Sequence, residues 1–220
     1  MSEELRRRMV EDQLVRHGIS DRRVLEAMGR VPREAFVPEA LVSSAYVDGP
    51  LSIGGGQTIS QPYIVARMLE AAAIAPGDRV LDVGTGSGYA AAVAAEMGAT
   101  IVSIERDTAL GESARARLQA LGYDVAVTIG DGTRGLESAA PFDAILVAAA
   151  APAVPAALRA HLAIGGRLVI PVGRTRQGQE LRRITRRSAT EFDETVLEMV
   201  AFVPLIGREG WPDASGDAGD

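Results

Sequence analysis

The sequence lacks cysteine and is poor in histidine and aromatic residues. Without a cysteine among its 220 residues, the chain can form no disulfide, and thiol catalysis and cysteine-bound metal or iron–sulfur sites are excluded. Its two histidines, His17 and His161, are too few for a histidine-rich zinc centre. Aromatic residues make up 4% of the chain, so the core is expected to be aliphatic. Metal chemistry is not expected.

Long apolar runs and an excess of basic residues are also missing. The most apolar stretch, Ile145–Leu158, is interrupted by Pro152 and Pro155 and is too short to span a bilayer. The charged N-terminus is not followed by an apolar segment, so no signal peptide is predicted. The formal net charge is −6, which does not favour electrostatic binding of nucleic acid. We therefore expect a cytoplasmic monomer without membrane or nucleic-acid partners.

The composition is that of a globular protein, with 47% apolar and 24% charged residues, and the length suits one domain. From Arg79 onward, short β-branched runs alternate with helical segments, which predicts right-handed βαβ units and a mostly parallel α/β sheet with helices on both faces. After Gly173, two strands follow without a helix between them, which predicts an antiparallel hairpin at the sheet edge. The predicted strands are 80–83, 100–105, 125–129, 143–147, 167–172, 181–187 and 196–203, and the predicted helices are 63–74, 89–97, 109–121 and 155–162.

The part of the chain before Arg79 divides in two. Residues 3–29 show helical spacing with a break at residues 17–19, whereas residues 31–60 lose all periodicity and contain three prolines and a Gly-Gly-Gly run. A loop-rich segment of this length is typical of a functional region. The predicted organisation is a single domain of residues 1–207, with N-terminal helices and a substrate loop in 1–78, a cofactor-binding sheet in 79–207, and an acidic, disordered tail in 208–220.

The sharpest local signal is a strand that runs into glycines and then into a helix. Gly84, Gly86 and Gly88 follow the strand 80–83 with G-x-G-x-G spacing, which differs from the G-x-G-x-x-G of dinucleotide sites. Asp82 lies two residues before the first glycine. Its carboxylate would repel a pyrophosphate but suits a cationic ligand. S-adenosylmethionine, which carries a sulfonium and an ammonium group, has the matching charge.

Two more acidic residues lie at or just after the ends of the next two predicted strands. Glu105 ends the strand 100–105, where a carboxylate can accept hydrogen bonds from ribose hydroxyls, and Asp131 is placed to contact the adenine edge. Taken singly, these features have ordinary explanations as a tight connection, a solvated strand end and a turn former. Together, three acidic residues at three successive strand ends predict S-adenosylmethionine binding. The predicted cofactor-binding residues are Asp82, Gly84, Thr85, Gly86, Ser87, Gly88, Glu105, Arg106, Asp131 and Gly132.

The segment 46–62, which contains Gly-Gln-Thr-Ile-Ser-Gln-Pro at positions 56–62, closely resembles the signature of the protein-L-isoaspartate (D-aspartate) O-methyltransferases. The resemblance continues through 130–132, 141–145, 149–152, 165–173 and 202–207 and covers roughly residues 5–211. It implies the Rossmann-like fold of class I S-adenosylmethionine-dependent methyltransferases. It also implies methylation of the side-chain carboxylate of L-isoaspartyl and D-aspartyl residues in damaged proteins and peptides, followed by collapse of the ester to a succinimide.

The same resemblance implies that Ser60 is the active-site hydroxyl. A carboxylate is already nucleophilic at pH 7 and a sulfonium is already activated, so the enzyme must supply alignment rather than a general base, a metal or a covalent intermediate. The competing interpretation is that Ser60 is an N-cap, because it lies just before Pro62 and Tyr63. The predicted substrate-binding residues are Gln57, Thr58, Ile59, Val203 and Leu205.

Two other functions remain open from the sequence. One is a methyltransferase of the same fold dedicated to one biosynthetic peptide or small molecule, and the other is a nucleotide-binding regulator without catalysis. Ser52, Thr133 and Ala148 depart from residues that are common in the family; they remove no group that the reaction requires but put the substrate range in doubt. A nucleic-acid methyltransferase is disfavoured, because residues 149–152 read Ala-Ala-Ala-Pro rather than a base-flipping Asn/Asp-Pro-Pro-aromatic tetrad.

Overall fold

The computed structural model of the chain describes residues 2–175 and 178–213. Its α-helices are α1 (Ser2–Arg8), α2 (Arg22–Arg30), α3 (Pro62–Ala72), α4 (Tyr89–Glu96), α5 (Thr108–Ala120) and α6 (Ala156–Ala160). Its strands are β1 (Leu51–Gly54), β2 (Gln57–Ile59), β3 (Arg79–Val83), β4 (Thr100–Glu105), β5 (Val125–Ile129), β6 (Phe142–Val147), β7 (Leu162–Val172), β8 (Gln179–Arg186) and β9 (Phe192–Val200). Within these ranges, no helix is long and apolar enough to cross a membrane.

Seven strands form one sheet in the order β5-β4-β3-β6-β7-β8-β9. The pairs from β5 to β7 are all parallel, whereas β8 is antiparallel to both β7 and β9. The predicted α/β fold with an antiparallel edge hairpin is therefore confirmed. The order of strands along the chain reverses at β3, which has β4 on one side and β6 on the other. Open α/β sheets bind ligands in the crevice outside the carboxyl ends of the strands at such a point.

Side chains that alternate along the strands build a separate apolar cluster on each face of the sheet. Val80 and Ile101 belong to the cluster that packs against α2, α3 and α4. Leu81 and Ile145 point to the opposite face, where they pack with Leu158 of α6. These short buried strands explain the nearly continuous apolar runs in the sequence, because a parallel sheet with both faces covered has no polar side.

The segment 31–60 is more ordered than its lack of periodicity predicted. It contains short 3₁₀ turns and a two-stranded hairpin, in which Leu51 pairs with Ile59 and Ser52 pairs with Thr58. The three glycines at 54–56 all have positive φ values, which only glycine adopts without strain. The substrate loop of the prediction is thus a hairpin, β1–β2, closed by a glycine turn.

The largest differences from the predicted strand boundaries are at β7 and β9, and pairing explains them. Strand β7 begins five residues early, because Leu162 already pairs with Phe142 before an irregularity in the register. Strand β9 ends at Val200, which pairs with Gln179 at the start of β8. The chain beyond it pairs instead with the segment that follows β6: Ala150 N donates to Val203 O at 2.8 Å, and Leu205 N donates to Ala150 O at 2.8 Å.

The C-terminal segment is ordered further than predicted. A disordered tail was expected from Arg208, but residues 208–213 pack on the sheet, with Trp211 Nε1 donating to Ala150 O at 3.0 Å. Arg208 N donates to Asp131 Oδ2 at 2.8 Å, and Glu209 N donates to Thr133 Oγ1 at 3.1 Å. The expectation of disorder after Asp213 concerns residues 214–220, which lie outside the described residues.

Candidate active site

A cavity of about 200 Å³ lies where β3, β4 and β6 end. We call it the donor cavity, after the methyl donor that the sequence predicts. The hairpin β1–β2 forms one of its walls, and residues 203–206 form another. Most of the predicted site residues meet here although they come from three distant parts of the chain. Those that line the donor cavity are Gln57, Thr58, Ile59, Ser60, Gly84, Thr85, Gly86, Ser87, Glu105, Arg106, Gly132, Val203 and Leu205.

Glu105 is fixed at the floor of the donor cavity by two backbone donors. Its Oε2 accepts a hydrogen bond from Gly86 N at 2.8 Å and its Oε1 accepts one from Asp107 N at 2.9 Å. Each carboxylate oxygen has further acceptor capacity, and the side chain is 8% exposed. Glu105 is therefore a preorganised acceptor for vicinal hydroxyls such as those of a ribose.

The glycine loop leaves room for a ligand against its backbone. Gly84 and Gly86 have φ values of +85° and +53°, and a Cβ on Gly86 would lie 3.3 Å from Ile53 Cδ1 in the hairpin. The hairpin thus packs directly over the loop. A side chain at Gly86 would both strain the backbone and push the hairpin away from the cavity.

Asp82, which the sequence predicts to contact the cofactor, is not among the residues that line the donor cavity. Its side chain points to the same sheet face as Val80 and is 2% exposed. The hydroxyl of Ser103, its neighbour on β4, donates to Asp82 Oδ2 at 2.6 Å and lies 2.6 Å from Thr85 Oγ1. Burial raises the pKa of Asp82 to about 6, with the Ser103 hydrogen bond acting against it. Asp82 therefore stabilises the glycine loop indirectly, through Ser103 and Thr85.

Gly88 and Asp131 are the other two predicted cofactor residues that lie outside the cavity lining. Gly88, with φ of +89°, precedes α4, and a Cβ there would lie 3.1 Å from Leu118 of α5. The carboxylate of Asp131 accepts hydrogen bonds from Thr133 N, Thr133 Oγ1 and Arg208 N. Burial pulls the pKa of Asp131 upward, but these hydrogen bonds hold it below its usual value. Asp131 thus anchors the C-terminal segment, and its neighbour Gly132 lines the cavity.

Ser60 lies at the junction of the donor cavity and a second cavity of about 430 Å³. Thr58, Ala148 and Val203 line both cavities as well. The N-cap of α3 is Gln61, and no side chain caps that helix end by hydrogen bonding. The N-cap interpretation of Ser60 is therefore wrong, and its half-buried hydroxyl is available to a ligand at the junction.

Sequence reasoning missed several lining residues. Tyr89 is 1% exposed and lines the donor cavity together with Val83 and Ile104, and Ala148 lies between the two cavities. Three of the four sit at the carboxyl end of a strand or directly after it, and this position was the signal available. Tyr89 stands directly after the glycine loop, where the first turn of the helix faces the same crevice.

A family model settles the relationship of the chain to known proteins. The model of the family "Protein-L-isoaspartate(D-aspartate) O-methyltransferase (PCMT)" matches residues 5–210. The chain belongs to this family. The protein-L-isoaspartate O-methyltransferases of Methylorubrum extorquens and Methylorubrum populi are each 60% identical to it over 210 residues, which is 96% of this chain and 92% and 99% of those relatives.

Solved structures of the family share the fold. A protein-L-isoaspartate O-methyltransferase of Plasmodium falciparum in complex with S-adenosyl-L-homocysteine has 29% identity and a TM-score of 0.79, and the match covers 91% of this chain and 98% of that one. A second protein-L-isoaspartate O-methyltransferase has 27% identity and a TM-score of 0.84, over 96% of this chain and 67% of that one. As a member of the family, the chain is an S-adenosylmethionine-dependent methyltransferase.

The donor cavity fits that methyl donor. Glu105 is a fixed acceptor for ribose hydroxyls, and the glycine loop lets a ligand approach the backbone without meeting a Cβ. Among the described lining residues, Glu105 and Asp107 are acidic and Arg106 is basic, and Arg106 pairs with Asp213. In this part of the wall, a cationic ligand therefore meets no unpaired cation.

Proposed function

We propose that this methyltransferase acts on the side-chain carboxylate of L-isoaspartyl and D-aspartyl residues in damaged proteins and peptides, and so starts their repair through a succinimide. The observation that carries the proposal is the position of Ser60, which lines both the donor cavity and the second cavity. A carboxylate that enters from the second cavity meets the donor at this junction. The family to which the chain belongs supports the same substrate.

The residues of the donor cavity have the task of orienting the methyl donor. S-adenosylmethionine supplies an electrophilic methyl group when it is bound. We assign to Glu105 the ribose hydroxyls, and to the backbone of Gly84 and Gly86 the close contact along the ligand. Gly132 and Ile104 add uncharged walls. Holding both reactants in a near-attack arrangement is the main contribution that this reaction needs, because neither reactant has to be activated further.

The second cavity has the chemistry expected for the methyl acceptor. The lining residues within the described ranges 2–175 and 178–213 are all uncharged, so none of them is a cation that would stabilise the substrate carboxylate. The negative charge of that carboxylate disappears as the ester forms, and an interaction that stabilises the ground state more than the transition state would slow the reaction. We assign to the Ser60 hydroxyl a single hydrogen bond to the carboxylate, which orients it without neutralising it.

The proposed function is tested with two matched peptides, one with an isoaspartyl residue and one with a normal aspartyl residue at the same position. Methyl transfer from labelled S-adenosylmethionine is measured as methanol released by base. We expect label on the isoaspartyl peptide alone. If neither peptide is labelled while the protein still binds S-adenosylhomocysteine, the substrate assignment is wrong, and a dedicated peptide or small molecule takes its place.

Replacing the proposed active-site hydroxyl tests the role of Ser60. We expect Ser60→Ala to lower kcat on the isoaspartyl peptide roughly 10- to 100-fold, the effect of losing one hydrogen bond to a charged group. Binding of S-adenosylhomocysteine, measured by calorimetry, should change less than about threefold, because the hydrogen bond assigned to Ser60 is to the peptide carboxylate and not to the methyl donor. Ser52→Ala is the matched control, since Ser52 is an exposed residue of the same hairpin; full turnover by Ser60→Ala would refute the assigned role.

A further inference from the structure

Arg33 is a buried cation that the proposed reaction has not yet used. It lies in a 3₁₀ turn between α2 and the hairpin, and its side chain is fully buried. Among the described residues it forms no ion pair with a carboxylate, and its Nη1 has no hydrogen-bond partner. Burial of an unpaired guanidinium is costly. An apolar side chain of similar volume would avoid the cost of the buried charge but would leave the backbone carbonyls that this arginine binds without a donor.

The hydrogen bonds that Arg33 does make hold both ends of one segment. Its Nε donates to Ala45 O at 2.8 Å and its Nη2 donates to Ser60 O at 2.8 Å. The hairpin β1–β2 lies between these two carbonyls in the chain. A planar guanidinium with fixed donor directions sets the separation and orientation of the two carbonyl groups. Arg33 thus fixes the backbone on which the Ser60 side chain is carried.

The guanidinium of Arg33 also contacts a residue that lines the donor cavity. Its central carbon lies 5.0 Å from the centroid of the Tyr89 ring, within the range of a cation–π interaction. Tyr89 is the first residue of α4, follows the glycine loop directly and lines the donor cavity. Phe36 packs edge-to-face on the same ring at 5.4 Å. One buried side chain therefore touches the element that carries Ser60 and the element that follows the donor loop.

We infer that Arg33 is a positioning residue for methyl transfer, which sets the Ser60 hydroxyl relative to the donor cavity by joining the Ser60 carbonyl to Tyr89. The inference rests on the proposed function. Arg33 touches neither the substrate nor the methyl donor, so it acts through Ser60. Its removal affects the alignment of the two reactants more than the binding of either one.

Kinetics of Arg33→Gln and Arg33→Lys test the inference with the isoaspartyl peptide. We expect Arg33→Gln to lower kcat about 10- to 50-fold, while KM for the peptide and the Kd of S-adenosylhomocysteine change less than about threefold. Arg33→Lys, which keeps the charge but not the planar pair of donors, should have an intermediate kcat. Gln13→Ala is the matched control, because Gln13 Nε2 donates to Tyr46 O in the same segment at 2.8 Å but does not contact Ser60. It should keep kcat within about twofold.

A double-mutant cycle separates positioning from a general structural role. If Arg33 acts through Ser60, the variant carrying both Arg33→Gln and Ser60→Ala should be no more than about threefold slower than Ser60→Ala alone. Losses of kcat that multiply would overturn the inference. An unchanged kcat in Arg33→Lys would also overturn the inference. If Arg33→Gln does not fold, the kcat of Arg33→Lys decides the question. Failure of the wild-type protein to label the peptide would instead refute the proposed function, so the two failures are distinguishable.

Discussion

Asp82 has its carboxylate buried against the neighbouring strand and is not part of the donor-cavity lining. Its spacing before the glycine loop pointed to the donor, but the pleat of β3 turns its carboxylate onto Ser103 of the neighbouring strand. The carboxylate is 2% exposed, and burial raises its pKa to about 6. Because its usual value is 3.8, the group binds a proton more tightly in the folded than in the unfolded chain.

This shift predicts a pH dependence of stability in the window between about pH 4 and pH 6. Because the pKa of Asp82 is higher in the folded than in the unfolded chain, protonation of this carboxyl group favours the folded state. This contribution to stability is fully present below pH 4 and is lost as the pH rises through 6. Asp82→Asn keeps an acceptor for Ser103 and removes the titration. In urea unfolding, we expect wild type to lose on the order of 2–3 kcal/mol relative to the variant between pH 4 and pH 7. Asp124→Asn, at an exposed position, is the control; a pH-independent difference for Asp82→Asn would contradict the prediction.

At the scale of elements, the turn after β5 is tightly packed against the end of β3. Gly130 and Gly132 flank Asp131, yet their surroundings differ. A Cβ on Gly132 would lie 2.5 Å from Val83 Cγ1 at the end of β3, whereas a Cβ on Gly130 would lie 3.6 Å from Ile104 Cδ1, an ordinary contact. Val83 is a buried, β-branched residue with little freedom to move. The turn therefore needs glycine at one of the two positions only.

The two glycines offer a matched pair of substitutions. We expect Gly132→Ala to lower the free energy of unfolding by about 1–3 kcal/mol through overpacking, and to weaken S-adenosylhomocysteine binding because Gly132 lines the donor cavity. Gly130→Ala should stay within about 1 kcal/mol of wild type. Urea unfolding and calorimetry measure both effects. Equal destabilisation by the two variants would show that the contact with Val83 is not what requires glycine.

At the scale of the whole molecule, the site is completed by parts of the chain that are remote in sequence. The segment 208–213 is tied to the turn after β5 by Asp131, 77 positions before Arg208, and Arg106 of the donor cavity pairs with Asp213. Trp211 bonds to Ala150 and pairs with Ile206, which lines the donor cavity. The described C-terminal residues therefore belong to the domain, although composition predicted a disordered tail.

Substitution of Trp211 tests whether the packing of residues 208–213 supports the donor cavity. We expect Trp211→Ala to lower the free energy of unfolding by about 1–3 kcal/mol and to weaken S-adenosylhomocysteine binding several-fold, because the indole no longer holds the segment against Ala150 beside the cavity. Trp211→Phe keeps most of the packing and should lose about 1 kcal/mol, the contribution of one hydrogen bond. Thermal unfolding and calorimetry give the two readouts. If Trp211→Ala binds S-adenosylhomocysteine like wild type, the segment does not support the cavity.

The sequence by itself determined the strands of the parallel sheet and the glycine loop, and it pointed to Glu105 and Ser60 as residues of the cavity that the structure shows. These features follow from local patterns: short apolar runs, spacing of glycines, and a contiguous block around Ser60 that resembles one family. Only the tertiary structure decided that Asp82 and Asp131 hydrogen-bond within the protein, that residues 203–205 pair with Ala150 after β6, and that Arg33 binds the Ser60 carbonyl. The reason is physical. Which way a side chain points depends on register and pairing between segments far apart in the chain, and local sequence carries little information about either.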